Sequence, residues 1–386
     1  MTADGRARIL IAGGGFAAVE AVLALRALVG DRVAPALLAP EPVFHYRPAA
    51  TREPFDLAPA RHYDLRAIAA EMGADYHQGR LEAVASRHHS VRTAAGARLV
   101  YDKLILAIGA RAVVGVPGAI TFRDQRDLKL IRRVLREVGT GAATRIAFAL
   151  PAASTWSLPL YELALLFARH AREHGLVIEP ALVTPEREPL ELFGRKVSLV
   201  LRDLLEDAGV RFVGGTAPAA FRRDGSLALA GGELTRADRV VALPELRGRR
   251  LSGVPAGRLG FVPVDRNGRV EGLADVYAAG DMTTFPVKQG GLAAQRADVA
   301  AQAIAAEFGA PIAVHRTAHV LQARLLGGER PLFLRGELDW TGQPIDAALV
   351  REEDERGANA AQVMGRYLAP YLETCEPLSG DRVTAA

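Results

Sequence analysis

Residues 8–20 read Arg8-Ile9-Leu10-Ile11-Ala12-Gly13-Gly14-Gly15-Phe16-Ala17-Ala18-Val19-Glu20. The apolar run Ile9 to Ala12 reads as a buried parallel strand. Three glycines follow at once, and then a good helix-forming stretch from Ala17 to Leu28 that stops near Gly30. The pattern is strand, tight turn, helix, in the form G-x-G-x-x-A. Gly13 permits the turn, Gly15 lets the backbone approach a pyrophosphate, and Ala18 in the third place lets helix and strand pack closely. Gly14, Phe16 and Ala17 complete the cradle, because the free N–H groups at the start of such a helix face phosphate oxygens. A glycine turn in some other α/β protein is the competing reading. The strand before and the helix after favour a dinucleotide loop.

The rest of the composition agrees with an ordinary α/β protein. The chain has 386 residues, 49% of them apolar and 24% charged, enough for two or three domains. Lys+Arg is 48 against 44 for Asp+Glu, so the net charge is only +4. Lys103, Lys129, Lys196 and Lys288 are the lysines; the remaining basic residues are arginines scattered among acids. No basic stripe with stacking aromatics is present, which argues against nucleic-acid binding. One cysteine, Cys375, excludes an internal disulfide and a cysteine-based metal cluster. His62, His77, His88 and His89 lack partners at ligand spacing, so no metal is expected. No apolar run is long enough to cross a bilayer. A reducing, cytoplasmic setting is the expectation.

Further motifs follow the first helix. Val33 to Ala39 reads as a second strand, weakened by Pro35. A carboxylate at the end of this strand would grip a ribose hydroxyl, and Glu41 lies a little late for it. A solvated loop glutamate is the alternative. Pro42 to Pro48, with Phe44, His45, Tyr46 and Arg47, suggests a rigid wall near the nucleotide. Leu81 to Val84, Ser90 to Thr93 and Arg98 to Val100 read as a meander. Tyr101 to Arg111 is a buried strand that ends in small residues at Ala107 and Gly109. Ala274 to Met282 is another, ending Gly280-Asp281. Pro286-Val287-Lys288-Gln289 then opens a helix that runs to about Glu307, with Lys288 near its positively polarised end.

Three of these motifs together resemble the FAD-binding superfamily of two-dinucleotide-domain oxidoreductases, the pyridine nucleotide-disulfide family. They are the early G-x-G-x-x-A, Leu104-x-x-Ala107-x-Gly109-Ala110-Arg111 and Ala278-x-Gly280-Asp281. Val287 to Ala293 and the Gly365 to Leu372 tail are most similar to the branch with sulfide:quinone reductases and type II NADH dehydrogenases. The resemblance implies two Rossmann-like domains: an FAD domain from 1–115 and 256–325, an inserted NAD(P)-like domain at 116–255, and a C-terminal segment at 326–386. It implies that Gly13, Gly15 and Ala18 cradle the FAD diphosphate and that Glu41 reaches the adenosine ribose. Arg47, Val84, Ala107, Gly109 and Arg111 border the cofactor. Gly280 and Asp281 hold the ribitol or phosphate, while Lys288 and Gln289 face the flavin pyrimidine. No side chain stands out as an acid or base; Tyr46, His45 and Glu162 are weak candidates.

Two departures from the family pattern shape the expected function. The loop after the strand Arg145 to Leu150 is Pro151-Ala152-Ala153-Ser154-Thr155-Trp156-Ser157-Leu158-Pro159. Thr155, Ser157 and Leu160 stand at the three glycine places, and side chains there keep a backbone away from a pyrophosphate. NAD(P)H, the family's usual donor, then lacks its firm diphosphate site. Trp156 either covers the flavin or packs in the loop. The second departure is the lone Cys375, which disfavours sulfide oxidation by the usual cysteine chemistry and disulfide reduction. The expectation is an FAD-dependent oxidoreductase passing electrons to a small-molecule or quinone-type acceptor without redox-active cysteines. The competing class is a non-catalytic flavoprotein whose middle domain binds a partner. The resemblance leaves room for peripheral membrane contact and for a homodimer. The charged stretch Arg351 to Arg356 reads as a mobile loop, and Ala361 to Leu372 as a docked C-terminal helix.

Overall fold

The computed structural model describes residues 5–57, 59, 61–152, 156–310, 319–328, 330–352 and 365–378. Its main helices are α1 (Phe16–Val29), α2 (Leu65–Glu71), α3 (Leu128–Gly139), α4 (Leu158–Glu173), α5 (Arg195–Asp207) and α6 (Gly290–Glu307), with a short C-terminal helix at Leu368–Thr374.

The opening strand, Ala7–Ala12, sits at the centre of a parallel sheet in the order Val276–Ala278, Lys103–Leu106, Ala7–Ala12, Val33–Ala39, Asp75–Gln78. Its side chains divide by parity. Ile9 and Ile11 pack toward α1 and α6, while Leu10 and Ala12 pack toward the meander and the Val262–Val270 region. Burial on both faces explains why the strand is a continuous apolar run rather than an alternation. Pro35 is tolerated because of its register. It lies opposite Ile9, whereas pairing on the far side of its strand begins only at Ala36, opposite Asp75. Helices α1 and α6 meet through small residues, among them Ala18, Ala21, Ala297 and Ala301, which lets the two backbones approach.

A second parallel sheet takes the middle of the chain, in the order Ile120–Thr121, Arg239–Ala242, Arg145–Ala149, Glu179–Val183, Arg211–Val213. Leu160, Leu163 and Phe167 of α4 and Val197, Leu201 and Leu205 of α5 cover one face. A three-stranded antiparallel sheet, Pro218–Phe221, Ser226–Leu229 and Leu234–Arg236, covers the other with Leu227 and Leu229.

The sequence reading places one short strand at Pro331 to Arg335. Instead His319–Leu325, Leu332–Leu338 and Pro344–Glu352 form a separate three-stranded antiparallel sheet, the third sheet beside the two parallel ones. Its first strand lies before the 325/326 division and the other two lie after it. Arg351 and Glu352 pair with Phe333 and Leu332, so they end a strand and are not loop; residues 353–356 lie outside the described residues. The described part of the tail does dock as a helix, although residues 361–364 lie outside them.

Candidate functional site

Because the strands of the first sheet are parallel, their carboxyl ends share one edge, where ligands of open α/β sheets bind. The amide of Gly13 donates to Leu38 O at 2.8 Å, that of Ala107 to Ala12 O at 2.7 Å and that of Ala279 to Leu106 O at 2.9 Å. These bonds draw the glycine loop, the Ala107 turn and the Gly280 turn together.

The glycines do different work. Gly13 has φ +145°, and a Cβ there would stand 2.2 Å from the Ala107 carbonyl oxygen, so the position serves a close crossing of two strand ends. A Cβ on Gly14 would meet Leu65 Cδ1 at 2.9 Å. Gly15 has ordinary extended angles, φ −105° and ψ −167°, and nothing lies within 4 Å of its would-be Cβ. It opens to solvent at the start of α1. No side chain caps that helix, in contrast to α2, capped by Asp64, and α6, capped by Gln289. An uncapped 14-residue helix facing open space is what a diphosphate needs. Gly280, at φ +75°, presses against Ala17 and Ala293, whose Cβ atoms lie 3.2 and 3.3 Å from its would-be Cβ. The residues present therefore fit the FAD diphosphate.

The wall segment is aromatic. Phe16 meets Phe44 edge-on at 5.1 Å and Tyr46 at 5.8 Å, which ties the start of α1 to the strand Val43–Tyr46. Glu41 lies just past the Val33–Ala39 strand. Its exposed carboxylate reaches His45 Nε2 at 3.4 Å, and His45 Nδ1 lies 2.9 Å from His62 Nδ1. Burial pushes the His62 imidazole below its ordinary value, and the facing His45 adds to this. Arg47 is exposed and pairs with Asp124 at 3.8 Å.

Asp281 is half-buried beside Arg47 and Lys288. Burial lifts its carboxyl, and the two cations oppose that. Lys288 is buried, and its ammonium donates to Thr283 O at 2.5 Å and Phe285 O at 2.6 Å, 4.0 Å from the centre of the Phe261 ring. Burial lowers its pKa to about 8, with Asp281 opposing. Gln289 accepts from the amide of Leu292 at 2.8 Å and donates to Gln322 O at 3.1 Å, so its side chain holds the start of α6 to the third sheet. Val84 is buried in the meander with its N–H donating to Ser252 O at 2.9 Å, and Gly109 (φ +66°) and the exposed Arg111 lead away from the edge.

The weak acid–base candidates are engaged elsewhere. Glu162 is buried, accepting from the Thr51 hydroxyl at 2.9 Å and Leu326 N at 3.2 Å. Burial lifts its pKa to about 7, with the Thr51 and Leu326 bonds opposing. Trp156 packs on Phe193, ring centres 5.8 Å apart, which is the packed-loop alternative.

In the middle sheet the sequence reading missed Glu186, three residues past Val183. A carboxylate at the end of a second Rossmann strand is where the ribose contact belongs, and that position was the available signal. Glu186 is buried and accepts from the Ser157 hydroxyl at 2.8 Å, the Tyr161 hydroxyl at 2.8 Å and the Thr184 hydroxyl at 3.1 Å. Burial raises its pKa to about 7, against those three bonds. Ser157, at the second glycine place, is thus bonded to the carboxylate where a ribose would sit; Thr155 lies outside the described residues.

Comparison with known proteins agrees with this architecture. The model for the pyridine nucleotide-disulphide oxidoreductase family matches residues 7–306. The chain belongs to that family. Members of the pyridine nucleotide-disulphide oxidoreductase family are FAD-binding oxidoreductases that use NAD(P)H. Among curated relatives, the ferredoxin reductase component of a chlorobenzene dioxygenase from Cupriavidus sp. is 29% identical over 56% of this chain; the match spans about half of that protein, 52%. An NADH dehydrogenase-like protein of Mycobacterium tuberculosis is 28% identical over 71% of this chain and 72% of its own. Among solved structures, the sulfide:quinone oxidoreductase of Aquifex aeolicus superposes with a TM-score of 0.78 at 17% identity, covering 90% of this chain and 87% of that one. That likeness is one of fold. Among the described residues, no helix is long and apolar enough to cross a membrane.

Proposed function

We propose that this family member is a flavin-dependent reductase that takes electrons from a donor other than NAD(P)H and passes them to a small-molecule or quinone-type acceptor, without a redox-active cysteine. In this reading the unit 1–115 with 256–325 holds FAD and the unit 116–255 is a nicotinamide domain that has lost its ligand. The observation that carries it is the buried cluster of Glu186, Ser157, Tyr161 and Thr184. In a dinucleotide domain the strand-end carboxylate is turned to the ribose and the helix start to the diphosphate. Here each is bonded to the other. NAD(P)H would have to break buried hydrogen bonds inside the protein, each worth roughly 0.5–1.5 kcal/mol, before gaining its own.

Bound FAD would supply the electron transfer itself. The chain's residues do the remainder. The N-terminus of α1 and the open Gly15 face the diphosphate. Glu41 is at the ribose end. Asp281, flanked by Arg47 and Lys288, takes a hydroxyl or phosphate between them. The Lys288 ammonium, held on Thr283 O and Phe285 O, keeps positive charge under the segment that leads to α6. Cys375, at the end of the C-terminal helix, has its thiol raised by burial and no second cysteine to pair with.

Anaerobic stopped-flow mixing tests the reading. With NADH or NADPH the flavin band is expected to bleach slowly and without saturation, while dithionite bleaches it fully. Fast, saturable bleaching by either nucleotide would show that the middle domain still binds its ancestral donor.

A further inference from the structure

Away from the glycine loop, a cavity of about 290 Å³ opens between Val264–Arg266, Thr284–Pro286 and Trp340–Thr341. Its lining includes none of Gly13, Gly15, Glu41, Ala107 or Asp281. At its inner end is Arg296 of α6, 8% exposed. The guanidinium lies over the Phe285 ring, 4.8 Å from its centre, and Nη1 is 3.4 Å from His319 Nε2. Arg296 Nε is buried without a hydrogen-bond partner. Among the described residues no ion pair reaches the group, and burial pulls its pKa down to about 10.

A buried cation without a counter-charge is costly, and such a group is normally paired. The surroundings say what would pair it. His319 meets Phe285 at 4.7 Å and Trp340 at 4.8 Å, both edge-on, which makes an aromatic wall continuous with Arg296. Arg266 lies over Trp340 at 5.6 Å near the mouth and adds a second cation. Oδ1 of the lining carboxylate, Asp265, accepts from the amides of Asn267 and Arg269, each at 2.9 Å. Thr284 and Thr341 add short polar groups. A guanidinium in the wall beside aromatic faces matches a planar anion carrying a ring: the carboxylate meets the guanidinium and the ring lies among Phe285 and Trp340. We propose that this cavity binds a small aromatic carboxylate, anchored on Arg296 and closed at its mouth by Arg266 and Trp340.

The test uses the flavin-loaded protein with benzoate as probe. The chain has two tryptophans, so Trp156→Phe leaves Trp340 as its one indole reporter. Benzoate is expected to change Trp340 fluorescence saturably, and neutral benzamide is not. Arg296→Met should weaken benzoate binding by roughly tenfold or more, the loss of one charge-assisted contact. Because Arg296 is buried, Thr284→Phe serves as a second variant that fills the exposed mouth and leaves the cation in place; it should abolish the fluorescence change with the flavin spectrum intact. No saturable response to benzoate, an equal response to benzamide, or full affinity in both variants would overturn the proposal.

Discussion

Substitution of Gly13 and of Gly15 separates two roles that a glycine motif merges. At Gly13 an alanine methyl would be placed 2.2 Å from the Ala107 carbonyl oxygen, in a backbone at φ +145° that side chains rarely adopt. The backbone strain alone costs about 1–3 kcal/mol. Parting the ends of two neighbouring strands adds to it, so the total is roughly 3 kcal/mol or more. At roughly 2 °C per kcal/mol for a chain of this size, Gly13→Ala should lower the melting temperature of the flavin-free protein by about 6 °C or more. Gly15→Ala meets no atom within 4 Å and keeps an ordinary extended backbone. Its effect on the flavin-free protein should stay within about 1 kcal/mol, or ~2 °C. Gly15→Val, however, fills the space facing the α1 amides and should cut flavin content roughly tenfold. Circular dichroism melts of the flavin-free variants and flavin-to-protein absorbance ratios of the loaded ones give the two readouts. Equal destabilisation by the two alanine variants would refute the close-crossing argument. Full flavin in Gly15→Val would mean that the cofactor loop lies elsewhere.

Other consequences are as direct. Glu186 has its pKa raised from 4.5 to about 7, so the folded protein binds its proton more tightly than the unfolded chain does. The stability this gives is present below pH 4.5 and lost as pH rises through 7. Relative to Glu186→Gln, the wild type should therefore lose up to about 3 kcal/mol between pH 5 and 8, read as diverging urea midpoints; parallel midpoints would show that Glu186 is charged throughout. Cys375→Ser should leave the rate of flavin reduction by dithionite, and of reoxidation by a quinone, unchanged in stopped flow; a lost phase would restore a role for the thiol. Glu20→Leu removes the carboxylate that accepts from Tyr367 N at 3.1 Å and Leu368 N at 2.7 Å, and should release the tail to limited proteolysis near Gly365. An unchanged cleavage pattern would show the tail is held by its apolar contacts alone.

Local signals carried most of the fold. The run Ile9 to Ala12, the glycines and the alanine-rich helices are visible because each is set by neighbours within a turn or two. The third sheet was half visible. Leu321, Ala323 and Leu325 face the core while Val320, Gln322 and Arg324 do not, a period of two that could have been read. What sequence could not show is pairing over distance. Ser157 and Glu186 are 29 residues apart, Thr51 and Glu162 111, and Glu20 and Leu368 348. Nor could sequence show that the Lys288 ammonium ends on carbonyl groups or that the Gln289 amide bridges to Gln322. Arg296 gave no signal, since an arginine inside an alanine-rich helix reads as exposed.

The buried Glu20 lies in the second turn of α1, the helix that follows the glycine loop, and its hydrogen-bond donors come from residues 367 and 368. The strand Val276–Ala278 likewise joins a sheet begun at residue 7. On a ribosome, residues 7–20 thus wait for residues 276–278 and 367–368 to be made. Until then the glycine loop stands on an unfinished sheet beside a Glu20 carboxylate that lacks its amide donors. Nascent chains arrested before residue 276 should therefore retain no flavin. Loading of the cofactor thereby reports that the strand at Val276–Ala278 has been made.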